Sequence, residues 1–240
     1  MKNSSPIKKL SLIASGVALS TCVLAVDRAN AQTILLDFEG LKDTEQILNF
    51  YNGGTGSQGS SGINYGVSFS PNSLAIVQGA PGSNIGGLPT PVTGAFFLSG
   101  SASTMNVANG FSTGFSFFYS APFQPGVVKI YDGLNATGNL LGSINLPLTP
   151  NGASVPGCNG KNFCPFQPIG LAFNGIAKSV DFGGTVNQIV FDNITLGRST
   201  PCVNQADCAQ VKVPEPTSVM GLIAISALGA GSVLQRKLLK

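Results

Sequence analysis

The chain has 240 residues, long enough for one substantial core or at most two small ones. Only 10% of the residues are charged, well under half of the roughly 25% usual in soluble domains, and the sequence holds 31 Gly, 15 Pro and no His. This composition excludes long soluble helices, His-based triads and Cys–His pairs, and six Lys or Arg against eight Asp or Glu between residues 32 and 213 exclude a basic face for nucleic acid.

The first 31 residues read as an export signal. Lys2, Lys8 and Lys9 form a charged start, an apolar run from Leu10 to Val26 follows, and Ala29-Asn30-Ala31 supplies a small-x-small site with cleavage between Ala31 and Gln32. An uncleaved anchor is the alternative. Cys22 follows Leu19-Ser20-Thr21, and Thr before the Cys departs from a lipoprotein site.

From Gln32 to Arg198, short apolar or alternating runs are punctuated by Gly, Pro, Asn and Ser. Strands are expected at 33–40, 63–70, 74–79, 94–100, 110–120, 126–133, 139–147, 169–175, 177–184 and 187–197. Ten runs at this spacing predict an all-β, antiparallel, jelly-roll-like β-sandwich over residues 32–198. The stretch DTEQILNFY (43–51) reads as a short amphipathic helix or a turn. The Gly-rich NGGTGSQGSSG (52–62) reads as a loop, and it lacks the Lys-Ser/Thr ending of a phosphate loop. Alternation puts Phe115, Phe117 and Tyr119 on one face, as core or as a sugar-stacking row, with Ser116 and Phe118 on the other. A ligand platform elsewhere would draw on Tyr51 or Tyr65.

With no His, carboxylates are left to carry chemistry. Asp37 and Glu39 stand two apart in an expected strand, hence on one face and roughly 6 to 7 Å apart. That touches the range of an inverting glycosidase pair, although neighbours on one strand rarely flank a bond from opposite sides. The same residues suit a structural calcium site. First and last strands of a sandwich are often neighbours, which would gather the oxygens of Asp37, Glu39, Asp192 and Asn193. The opening D-F-E (37–39) and closing F-D-N-I (191–194) resemble the ends of jelly-roll modules related to carbohydrate-binding domains. That resemblance implies that these positions can hold calcium, the one cofactor the sequence suggests.

Four cysteines remain after export, at equal spacings: Cys158 with Cys164, and Cys202 with Cys208. Zinc clusters use shorter spacings and often His, so disulfides are expected, with two local loops the simplest of three pairings. Each small ring would contribute about 2 kcal/mol by loop closure. Residues 199–212 read as a Cys-containing linker.

Residues 213–240 read VPEPTSVMGLIAISALGAGSVLQRKLLK. The uncharged run Ser218 to Leu234 would span about 26 Å as a helix, nearly the hydrocarbon layer of roughly 30 Å. Arg236, Lys237 and Lys240 would hold its end on the cytoplasmic side. Pro214, Glu215 and Pro216, the apolar helix and the basic end together resemble the PEP-CTERM sorting signal of exported bacterial proteins. The resemblance implies passage through the secretion translocon, transient anchoring in the inner membrane, recognition by an exosortase and release near the motif. Such proteins accompany exopolysaccharide and biofilm systems. The tail is also associated with ice-binding proteins, but no regular Thr repeat is present. The expected function is therefore that of an exported, non-enzymatic surface or matrix protein, adhesive or glycan-binding through polar loops, with polysaccharide as the partner and no nucleic acid. The alternatives are a structural surface protein without a small ligand and a carboxylate glycoside hydrolase.

Overall fold

The structure is a computed structural model that describes residues 33–209. The Ala31/Gln32 junction, the Pro214-Glu215-Pro216 motif, the Ser218–Leu234 run and the basic end lie outside the described residues. Among the described residues no helix is long and apolar enough to cross a membrane.

Nine strands form one continuous antiparallel sheet: β1 (Ile34–Leu36), β2 (Val67–Phe69), β3 (Ser73–Val77), β4 (Thr93–Phe97), β5 (Ala102–Ser120), β6 (Gly126–Tyr131), β7 (Leu140–Leu146), β8 (Gln167–Gly184) and β9 (Val190–Leu196). A single helical turn at Gly152–Ser154 and the short helix α1 (Gln205–Ala209) complete the order. The sheet doubles over because β5 and β8 serve both layers of a sandwich. In the first layer the second half of β5 pairs with the start of β8 and with β9, which continues to β4 and β3 and holds β1 beside its end. In the second layer the first half of β5 pairs with β2 and the end of β8, which passes to β6 and β7.

The bend comes from register shifts in β5 between Asn106 and Thr113, where Gly110 and Thr113 have positive φ (72° and 74°). A Cβ at Gly110 would run into the side chain of Ile176 on β8, so glycine lets the two strands bend together. Strands β5 and β8 are both longer than the sequence expectation. The runs at 169–175 and 177–184 are one strand, and residues 102–109, which lie outside the expected strands, are the first half of β5.

Alternation places the core as expected. Phe115, Phe117 and Tyr119 are buried between the layers with Met105, Val128, Ile130, Phe182, Phe191 and Ile194, so the aromatic row is core. Its rings meet edge-on, as at Phe182–Phe191 with centroids 4.9 Å apart. Phe118, on the opposite face, helps to form a second cluster with Ile85, Phe96, Phe166 and Val190. Loops 82–90 and 150–166 lie over that outer face; Lys161 Nζ donates to Ser83 O at 2.8 Å and Cys158–Cys164 closes the second loop. The other disulfide joins Cys202 to Cys208. Both are the local pairings. The described part of the 199–212 segment is no free tether, since the second disulfide packs on Leu35 of β1.

DTEQILNFY takes the turn alternative, with Thr44 and Leu48 at positive φ (57° and 45°). Its backbone extends the sheet at the edge of β3: Thr44 donates to Ala75 O at 2.9 Å and Ile47 to Ser73 O at 3.0 Å. An edge that would otherwise show unpaired groups is covered. Glu45 turns inward from this segment and is fully buried. Its carboxylate gathers the Gly-rich loop, accepting from the N–H groups of Gln58 (2.9 Å), Ser60 (3.1 Å) and Lys42 (2.9 Å) and from the Ser60 hydroxyl (2.6 Å). A Cβ on Gly56 would sit 2.5 Å from Glu45 Oε1, which explains why this wrap needs glycine.

Candidate functional site

Two places on the sandwich concentrate polar chemistry. The first is the junction of the opening and closing segments. β1 ends at Leu36, and Phe38 at φ 61° turns the chain before Glu39. Asp37 and Glu39 therefore lie in a turn past the strand, and the shared strand face that suggested a glycosidase pair does not exist. Asp37 Oδ1 accepts from the Glu39 N–H at 3.3 Å and lies 3.5 Å from the Tyr51 hydroxyl. Glu39 Oε1 takes the N–H of Thr93 at 2.9 Å. Tyr51 is buried, its hydroxyl accepting from the Phe38 N–H at 2.6 Å, so it offers no platform to a ligand. Burial and the nearby Asp37 charge push its phenol well above the usual range. Tyr65 is half-buried and stacks on it, with centroids 6.1 Å apart.

Asp192 and Asn193 of β9 are both fully buried. Asp192 Oδ1 accepts from the Asn193 N–H at 2.7 Å. The Thr90 hydroxyl faces Asn193 Oδ1 at 2.8 Å and the two Asp192 oxygens at 3.4 and 3.3 Å. One hydroxyl proton cannot serve three acceptors. This local surplus of hard oxygens fits a cation such as calcium. Burial pushes the Asp192 carboxyl well above the usual carboxylate range; N–H groups of Asn193 and Thr90 pull against that rise, and the charge of Glu39 adds to it. Burial likewise raises Glu39, with Asp37 contributing. The four residues expected to form one cage are thus only partly gathered. Asp192 and Asn193 converge with Thr90, Glu39 stands close enough to repel Asp192, and Asp37 turns to Tyr51. Among the described residues no three acidic, Cys or His side chains converge as a metal-ligating group. The Asn193 amide nitrogen donates to the carbonyls of Cys202 (3.0 Å) and Val203 (3.1 Å), tying this junction to the second disulfide loop.

The second place is an open groove of about 530 Å³ at the bend, lined by Ser112, Thr113, Ala172, Phe173, Asn174 and Gly175. Its size is that of small-ligand sites, typically about 300–1,000 Å³. Thr113 spends its hydroxyl on Gly197 O at 2.5 Å, whereas the side chains of Ser112 and exposed Asn174 form no hydrogen bond among the described residues. A hydroxyl and an amide are thus left free in the groove, while the Phe173 ring is buried and packs edge-on against Phe111 in the core.

No protein-family model matches this chain, and no curated protein matches it in sequence. Among solved structures it is similar to the K2 cleaved adhesin domain of Lys-gingipain, at 12% identity over 69% of this chain and 99% of that one, with a TM-score of 0.44. A family 6 carbohydrate-binding module matches at 18% identity over 55% of this chain and 87% of its own, TM-score 0.36. The third family 6 module of Clostridium stercorarium, solved with cellobiose, matches at 13% identity over the same shares, TM-score 0.33. No residue role is carried over at these levels of similarity.

The sequence pointed to the junction but missed the groove. The available signal was the pair of polar interruptions, Ser112-Thr113-Gly114 and Asn174-Gly175, each following an aromatic residue, Phe111 and Phe173. Asn-Gly ordinarily marks a turn, and here it marks a bend within β8.

Proposed function

We propose that this chain is an exported, non-enzymatic surface or matrix protein whose jelly-roll-like β-sandwich binds polysaccharide. The observation that carries the reading is the groove at the bend of β5 and β8, where a free hydroxyl and a free amide line an open space of small-ligand size. Sugars are recognised by such groups, because their hydroxyls both donate to and accept from side-chain hydroxyls and amides. The scarcity of charge and the disulfides suit an oxidising, extracellular setting. Affinity electrophoresis of the full chain through gels cast with neutral and acidic exopolysaccharides tests the reading. At least one polymer should retard the protein, and Asn174→Ala should weaken that retardation about tenfold. Migration unchanged in every polymer would favour a structural surface protein without a ligand.

The route outward rests on the sequence. The signal before Gln32 would direct export, the Ser218–Leu234 helix would halt the chain in the membrane, and an exosortase would cut near Pro214-Glu215-Pro216. Mass spectrometry of protein recovered from outside the producing cell should find the C-terminus close to that motif. Recovery of chains ending at Lys240 would contradict processing.

Calcium is the cofactor the junction would take, through the Asp192 carboxylate with Asn193 Oδ1, Thr90 Oγ1 and nearby Glu39. Its part would be structural, neutralising a buried carboxylate where the closing strand meets the opening segment.

A further inference from the structure

The outer face of the second layer carries a row of polar side chains that crosses four strands. Thr104 of β5 stands opposite Asp181 of β8, Asp181 opposite Lys129 of β6, and Lys129 opposite Ser143 of β7. At a ladder spacing of about 4.8 Å the row is about 14 Å long, the length of two or three sugar rings. Its members point away from the core, since Met105, Val180, Val128 and Ile144 beside them are buried. Thr104, Asp181 and Lys129 are nevertheless half-buried.

Two neighbouring features shape the surface around this row. On one side the 132–139 connection folds back over the sheet as a wall. Asn106 and Asn135 bond each other twice at 2.7 Å, Ala136 donates to Ser179 Oγ at 2.9 Å, and Ser179 donates to Gly133 O at 2.6 Å. On the other side the next register row is Ala102, Gly183 and Val127, a low apolar shelf. The row between them keeps unspent capacity. Thr104 donates to Asp181 Oδ1 at 3.3 Å, while among the described residues Asp181 Oδ2 and Lys129 Nζ make no hydrogen bond. Arg198–Asp207 is the ion pair found among the described residues, so Asp181 and Lys129 face each other across strands without closing on one another. Burial raises the Asp181 carboxyl above its usual range, with Thr104 and Lys129 acting against the rise.

We propose that Thr104, Asp181 and Lys129 form a second saccharide-binding strip, which takes adjacent hydroxyls of a neutral sugar. Asp181 accepts from one hydroxyl, Lys129 donates to its neighbour, and the sugar's C–H face rests on Val127 and Gly183. The chemistry selects against other ligands: one positive and one negative group side by side favour neither a phosphate nor a metal ion, whereas a hydroxyl both donates and accepts. The strip rests on the polysaccharide reading but lies on a different surface from the groove.

The test uses the full chain in detergent with cellotetraose, xylotetraose, maltotetraose and mannotetraose as probes, followed by calorimetry and hydrogen–deuterium exchange. A probe that binds should protect segments 102–107, 126–131 and 179–184. Asp181→Asn and Lys129→Ala should each weaken its binding about tenfold and abolish that protection while any at 172–175 persists. Thr104→Val, a change of similar volume, should weaken binding less and guards against loss through misfolding. Binding with protection confined to 112–113 and 172–175, or wild-type affinity in both charge variants, would overturn the strip and leave the polysaccharide reading standing. Failure of every tetrasaccharide and every polymer would overturn both.

Discussion

Replacing Glu45 by glutamine should destabilise the domain by about 2 to 4 kcal/mol in urea unfolding, because a buried carboxylate here accepts from three backbone N–H groups and a hydroxyl. Glutamine keeps one acceptor oxygen and turns its NH₂ toward groups that already donate. The Ser60 hydroxyl can rotate to accept, but the Lys42 N–H cannot, and a buried donor left without a partner costs the full desolvation of that group. The effect should be local in origin: exchange at Gln58 and Ser60 should rise well before the core strands open. It should also depend on pH in a defined direction. Burial alone would raise the Glu45 carboxyl, yet the bonds from Ser60, Lys42 and Gln58 outweigh it and hold the group below its ordinary value of 4.5. The stabilisation is then fully present above that value and fades as pH falls through the lower, folded-state value. Wild type and Glu45→Gln should therefore converge in acid. A variant as stable as wild type at neutral pH would show that the loop is held by something other than this carboxylate.

Glu45 also marks the limit of what the sequence makes legible. Period-two alternation located the buried face of β5 correctly at Phe115, Phe117 and Tyr119, since that signal depends only on neighbouring residues. Local spacing likewise sufficed for Cys158–Cys164 and Cys202–Cys208. Features set by backbone dihedrals were hidden. Nothing in Asp37-Phe38-Glu39 announces the left-handed Phe38 that takes the two carboxylates off a common strand face. Asn174-Gly175 looks like the end of a strand because its role as a bend depends on Gly110 across the sheet. The acidic start of DTEQILNFY, Asp43 and Glu45, reads as a helix start, whereas the partners of Glu45 lie up to 15 residues along the chain in a loop that looks featureless. The junction was half legible: the closing Asp192-Asn193 does meet the opening segment, but Thr90, its closest polar partner there, comes from a connection 102 residues away that no local pattern links to it.

Asp192 supplies the second large effect, and its sign depends on calcium. In the chelated protein the buried carboxylate is a liability, because its folded-state proton affinity is raised by burial and by Glu39. Stability should then be greatest below the unfolded value near 3.8 and should be lost as pH rises toward the folded value, the reverse of the Glu45 contribution. Calcium bound to the ionised form would reverse this, adding about 2.7 kcal/mol when the free ion reaches a hundred times its dissociation constant. Asp192→Asn separates the two contributions. It removes the desolvated charge, so the chelated variant should melt at or above the chelated wild type, and it removes the principal anionic ligand, so added calcium should no longer raise its midpoint. A wild-type midpoint indifferent to both chelator and calcium would remove the cation from the junction. Asp192 would then be held as a neutral acid, able to donate to the Thr90 hydroxyl, which in turn donates to Asn193 Oδ1, and so relieve the surplus of acceptors without any ion. The two outcomes differ at neutral pH: a bound cation makes Asp192→Asn costly in calcium, whereas a protonated carboxyl makes the same substitution nearly neutral, since an amide reproduces its donor and acceptor at similar volume.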